Sequence, residues 1–209
     1  AFFKWLIAKI KKDRPDMLFI AEVYQKALYS KYIREVGFDL LYDKSGMYDA
    51  LRAIVEKNVN DSGVPVEAWQ SARRITWNWQ SLGDLQPYML NFLENHDEQR
   101  FASSFFGGDA RKSYAALYAS LYFNNAPFML YAGEEVGEHG MDNEGFSGTD
   151  GRTSIFDWWA PESLTRLYRY IHGEQDALTR EESAVLETYR TALRFAANDN
   201  AVNQGTVYD

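Results

Sequence analysis

Four apolar runs in this chain end in acid, and helical stretches separate them. The runs are "MLFIAEVY" (17–24), the shorter Phe38–Tyr42, "PYMLNFLEN" (87–95) and "PFMLYAGEE" (127–135). Near-continuous apolar runs of this length predict strands buried on both faces. Residues 1–12 place Phe2, Trp5, Leu6, Lys9 and Ile10 at helical spacing, and Pro15 ends that pattern. Further helices are predicted over 46–58, 67–75, 109–124 with Asp109 as N-cap, 162–172 and 181–196. Strands alternating with helices imply an α/β fold with a parallel sheet covered by helices. No GxGxxG or GxxxxGK follows any run, which argues against a dinucleotide or P-loop site.

The acids at the strand ends are Glu22, Asp43, the cluster Glu94–Glu98, and Glu134 with Glu135. In barrels of alternating strands and helices the active site lies on that C-terminal face. Carboxylates that converge there are costly unless they are used or paired. The densest case is "LNFLENHDEQRFAS" (90–103), where an apolar strand drives into Glu94, Asn95, His96, Asp97, Glu98, Gln99 and Arg100.

Bulk properties narrow the function. A net charge of −8 with no basic stripe makes a poor nucleic-acid binder. No apolar run approaches the roughly 18 residues of a membrane span. Cysteine is absent, so redox chemistry gives no reading of compartment, and localisation stays open. Three histidines without HxH or HxxxH spacing give little support to a metal enzyme built on Glu22, His96 and Asp97, and no metal site is expected. Aromatics at 16% pack cores, and they also offer flat faces to sugar rings.

Glycoside hydrolysis suits the acids that remain. It needs one carboxyl to protonate the leaving oxygen and another to attack the anomeric carbon or activate water. Glu22 suits the acid, because desolvation at the end of an apolar strand favours the protonated form. Asp97 suits a charged group that stabilises positive charge on the sugar ring. His96 and Asn95 offer hydrogen bonds to sugar hydroxyls, and Arg100 offers a partner for a carboxylate. The plain structural alternatives are a cap or ion pair for Glu22, a structural His96 and an Asx-type turn for "NHDEQR". Asp43 and Asp49 would then serve turns and caps, and "GEE" would hold the last strand in place.

"FLENHD" resembles the strand-seven motif of the alpha-amylase family of glycoside hydrolases, and "FIAEV" resembles its strand-five motif. "NAPFMLYAGEE" is similar to the family's eighth strand and "DGRTSIFDWW" to the segment after it. The four stand in the family's order and span most of the chain. The resemblance implies half of a (β/α)8 TIM barrel, strands five to eight, truncated at both ends. Residues 1–198 would be that half-barrel and 199–209, ending "GTVYD", the start of a β-sandwich domain. Glu22 would be the general acid and base, Asp97 the transition-state-stabilising carboxylate and His96 a subsite ligand. Asn95 would be supporting, Arg100 would position the acidic cluster, and Arg152 would reach glycone-side subsites.

The same resemblance implies a nucleophilic aspartate ending the fourth strand, outside this sequence. It also implies an inserted loop domain, likewise outside, where the family often binds calcium; no cofactor is expected in this chain. The expected function is therefore a fragment of a retaining hydrolase of alpha-glucosidic bonds in starch-like or maltooligosaccharide substrates, inactive alone. Bare sheet edges predict self-association or pairing with the missing half-barrel. The alternative is a non-catalytic carbohydrate-binding or interaction protein on an amylase-like barrel.

Overall fold

A computed structural model describes residues 1–56, 68–123, 125–142, 148–153 and 160–207. Helix α1 (Phe2–Asp13) leads to strand β1 (Ile20–Ala21). A π-helical segment, Lys31–Val36, returns the chain to β2 (Leu40–Tyr42). It stops at Gly37, whose φ of +96° is open to glycine at little cost and whose N–H bonds Tyr32 O at 3.1 Å. A second π-helical segment, Lys44–Tyr48, runs into α2 (Asp49–Val55), and α3 (Ala68–Leu82) follows. Then come β3 (Met89–Phe92), α4 (Ser113–Tyr122) and β4 (Phe128–Met129). Three helices close the chain, α5 (Glu162–Ile171), α6 (Arg180–Asn198) and α7 (Asn200–Gln204).

The strands form one parallel sheet in the order β1-β2-β3-β4. This is the α/β architecture the alternation predicts, and it matches part of a barrel. Helix α6 begins where its sequence asks it to. Thr179 Oγ1 accepts from Glu182 N at 3.1 Å, and Glu182 Oε2 accepts from Thr179 N at 2.8 Å. That reciprocal pair satisfies two orphan donors of the first turn. Arg166 on α5 then grips the same Glu182 at 2.7 Å and fixes the two helices together.

Among the described residues two cores form. One joins Ile7 of α1, Val23, Ile33, Phe38 and Leu82 to Ala21, Leu41 and Met89 of the sheet. The other joins α2, α4 and α6 through Leu51, Leu117, Val185 and Tyr189 to Leu93 and Phe101. Strand β3, central and wholly buried, fits the both-faces expectation. The run 17–24 does not: Leu18 is 65% exposed and Ile20 47% exposed. It lies at the sheet edge, with helices on one face and Ile20, Glu22 and Tyr24 on the other. The strands are also shorter than the apolar runs: pairing covers only Ile20–Ala21, Met89–Phe92 and Phe128–Met129 of the three longer ones. At the far end, Asn203 and Gln204 are helical, and 205–207 carry no regular structure where "NQGTVYD" reads as a strand. "SIFDWW" (154–159) lies outside the described residues.

Replacing fully buried Leu117 by Ala should cost about 3 kcal/mol in urea unfolding. The same change at Leu18 should stay within about 0.5 kcal/mol. Equal losses would mean that the run at 17–24 is covered in solution.

Candidate active site

The period of a strand puts Glu22 and Tyr24 on one face while Ala21 and Val23 turn to the core. Tyr24 donates its hydroxyl to Glu22, and that bond is the main reason its phenol is pushed up. Burial and the charges of Glu22, Asp97 and Glu98 add to it. Tyr42, at the end of β2, is pushed up by burial first and then by Glu22 and Asp97. The Tyr42 phenol thus lies in the field of both candidate carboxylates. Glu22 itself is exposed. The burial expected at the end of its apolar strand is missing, because the strand forms an open edge.

Asn95 is buried and builds the turn that presents its neighbours. Its Oδ1 accepts from the N–H groups of Asp97 and Glu98, each at 2.9 Å. His96 and Asp97 stand half-exposed at the tip of this turn, with His96 Nε2 3.6 Å from Asp97 Oδ1. Arg152 holds the turn from outside: its Nε donates to Asp97 O at 2.7 Å and its Nη1 meets Asp150 at 3.1 Å. Glu98 is anchored on the opposite side by Tyr48 at 2.8 Å, Lys44 at 3.2 Å and Arg52 at 3.4 Å. Sequence reading did not single out Tyr24, Tyr42 or Tyr48. For Tyr24 a signal existed in its two-residue spacing from Glu22.

Arg100 lies beneath the turn and is 1% exposed, so it presents nothing to a ligand. Its Nη1 pairs with Glu94 Oε2 at 2.7 Å, Nη2 donates to Ala132 O at 2.8 Å and Nε to Thr153 Oγ1 at 2.9 Å. Its guanidinium covers the Tyr131 ring at 4.2 Å. Glu94 Oε1 also accepts the Phe101 N–H at 2.6 Å. Glu134 is buried nearby and takes the Tyr189 hydroxyl of α6 at 3.0 Å. Burial pushes Glu94 up, with Arg100 opposing it. Burial pushes Glu134 up further, and the charge of Glu94 adds to that. Asp43 is likewise buried, bonded to Asn78 Nδ2 at 2.8 Å.

The acids at the strand ends therefore divide. Asp43, Glu94 and Glu134 are internal braces; Glu22 and Asp97 face outward on one side. Among the described residues no group of three or more His, Asp or Glu side chains is placed to hold a metal. No helix among them is long and apolar enough to cross a membrane. A cavity of about 820 Å³ lies elsewhere, between α4, α5 and α6, and touches none of Glu22, His96 and Asp97.

The raised Glu134 carboxyl sets a pH dependence. Unfolded, it ionises in the ordinary range near pH 4.5; folded, it keeps its proton to higher pH. In that window the folded state binds more protons, so stability falls as pH rises, with a limiting slope of about 1.4 kcal/mol per pH unit. Glu134→Gln should remove this fall, so that the variant gains on the wild type as pH rises above 4.5. Parallel urea-stability profiles would show that Glu134 ionises normally in the folded chain.

The model of the alpha-amylase catalytic domain matches residues 1–205. Three solved structures share the fold. A cyclic alpha-maltosyl-(1→6)-maltose hydrolase from Arthrobacter globiformis, in complex with maltose, aligns at 17% identity with a TM-score of 0.62 over 98% of this chain. An acarbose-soaked debranching enzyme from Nostoc punctiforme aligns at 18% identity and 0.61 over 97%. An alpha-amylase from H. orenii aligns at 20% identity and 0.59 over 98%. The chain spans only 38–40% of the length of those proteins. With a family model matched over nearly its whole length and a parallel sheet that carries the acids at its C-terminal edge, the chain belongs to the alpha-amylase family of glycoside hydrolase catalytic domains.

Proposed function

We propose that this chain supplies two working groups of a retaining hydrolase of alpha-glucosidic bonds in starch-like or maltooligosaccharide substrates. The observation that carries this reading is that Glu22 and Asp97 both follow the C-terminal ends of parallel strands, β1 and β3, and are open to solvent, the one exposed and the other half-exposed. Glu22 protonates the leaving oxygen and later takes a proton from water. Asp97, held through its backbone by Arg152, stabilises positive charge on the ring. Half-exposed His96 donates to a sugar hydroxyl beside it. A retaining site also needs a nucleophilic carboxylate about 5 Å from the acid, a role that none of the strand-end acids described above takes on this reading.

The chain alone is then inactive, and it works with a segment that brings the fourth-strand aspartate. The docking side is the free edge of β1, where Leu18 and Ile20 are exposed along with Phe2, Phe3 and Trp5 of α1. An unpaired edge with apolar neighbours favours association with another chain or a second copy.

The test is turnover of a maltooligosaccharide panel by the chain with and without the first half of a family barrel. Activity should appear only with both parts, and Glu22→Gln should lower kcat by about a thousandfold. Turnover by the chain alone would overturn the split site. Association without turnover would favour a carbohydrate-binding protein on an amylase-like scaffold.

A further inference from the structure

Trp77 on α3 is 54% exposed although its helix neighbour Asn78 is buried. A pocket of about 390 Å³ opens beside it, lined among others by Lys26, Ser45, Asp49, Arg74 and Ser81. This volume lies within the range of small-molecule sites. Its floor is built from inside the protein. Asp43, 2% exposed, takes Asn78 Nδ2 at 2.8 Å, and Asn78 Oδ1 takes Lys26 Nζ at 2.8 Å. Burial pushes the Asp43 carboxyl up, and Asn78 and the Lys26 charge are among the groups that oppose it. Gly46 closes the floor: a Cβ there would meet Asp43 Oδ1 at 2.0 Å and Asn78 Oδ1 at 2.3 Å. A buried carboxylate that costs stability thus fixes a surface ammonium in one place, beside an exposed indole whose ring Arg73 overlies at 5.2 Å.

We propose that this pocket binds a glucose ring of an alpha-glucan, stacked on the face of Trp77 that Arg73 leaves uncovered, with its hydroxyls bonded to Lys26, Asp49 and Arg74. A pyranose has a C–H face for the indole and hydroxyls that both donate and accept. The pocket matches both needs, with donors on Lys26 and Arg74 and an acceptor on Asp49. A bare phosphate matches neither. It has no apolar face, and it would meet the carboxylates of Asp49 and, behind the floor, Asp43. The pocket adjoins the candidate cleft: Ser45 Oγ donates to Tyr24 O at 2.9 Å, and the Tyr24 hydroxyl rests on Glu22. The class of sugar rests on the function proposed above; the built floor and the exposed indole do not.

The test is calorimetric titration of the 209-residue chain with maltoheptaose, repeated with inorganic phosphate. Trp77→Ala should weaken maltoheptaose binding about tenfold, and Lys26→Ala about threefold. Asp97→Asn, in the cleft, should leave at least one binding event intact. Trp77 is exposed, so the thermal melt of Trp77→Ala should match the wild type, whereas Lys26→Ala removes the donor to buried Asn78 Oδ1 and should melt lower while remaining folded at the titration temperature. Unchanged binding by Trp77→Ala, loss in Asp97→Asn alone, no binding up to about 10 mM, or binding of phosphate in place of the glucan would each overturn the proposal. Hydrolysis by the completed barrel would survive any of those results, so the two readings fail separately.

Discussion

The site depends on one buried guanidinium. Arg100 joins the end of β3 through Glu94, the end of β4 through Ala132 O, and the returning segment through Thr153. Its own backbone N–H adds Gly151 O at 2.6 Å. Next to these two residues stands Arg152, which grips Asp97 O. The strand ends and the loop are therefore one unit, and the outward carboxylate inherits its position from an inward ion pair. Removing one member of such a pair leaves a buried charge without a partner, at a cost of about 3–5 kcal/mol. Exchanging both members for apolar groups would be tolerated far better in stability, yet it would release the loop that carries Arg152.

The acids were legible in the sequence as a class, and their division of labour was not. Alternating strands and helices with acid at each strand end gave the parallel sheet, and the "FLENHD" and "FIAEV" motifs gave the family. A run of letters does not say which carboxylate meets an arginine from six residues later or a tyrosine from another helix. Glu94 and Asp97 are three residues apart, yet one is sealed against Arg100 and the other half-exposed. The Asx turn at Asn95 separates them, since it reverses the chain just after the last buried residue of the strand. The plain structural reading of "NHDEQR" as such a turn and the functional reading of His96 and Asp97 are thus compatible: the turn is the device that presents them.

Burial was legible only where the element sits in the middle. The β3 run reads apolar and is apolar on all sides, whereas the 17–24 run reads the same and lies at an edge. Hydrophobicity records what a segment needs covered, not whether the rest of the chain covers it. Helix limits show a similar effect near Gly46. The sequence predicts one helix over 46–58, and the chain instead makes a wide turn over Lys44–Tyr48 before α2, as Gly46 packs against Asp43 and Asn78.

Edge exposure and chemistry meet at Glu22. A general acid works near neutral pH when its surroundings disfavour its charge. On the function proposed here, this chain gives Glu22 a phenol on one side and solvent on the other. The missing cover has to come from whatever packs against the free edge of β1. The same exposed side chains that invite association, Leu18 and Ile20, flank the strand that carries the acid. Closing the sheet would then do two things at once, burying the apolar edge and drying the carboxyl. On that reading assembly and acidity are linked through one strand: the cover that the apolar edge needs and the cover that the acid needs are the same.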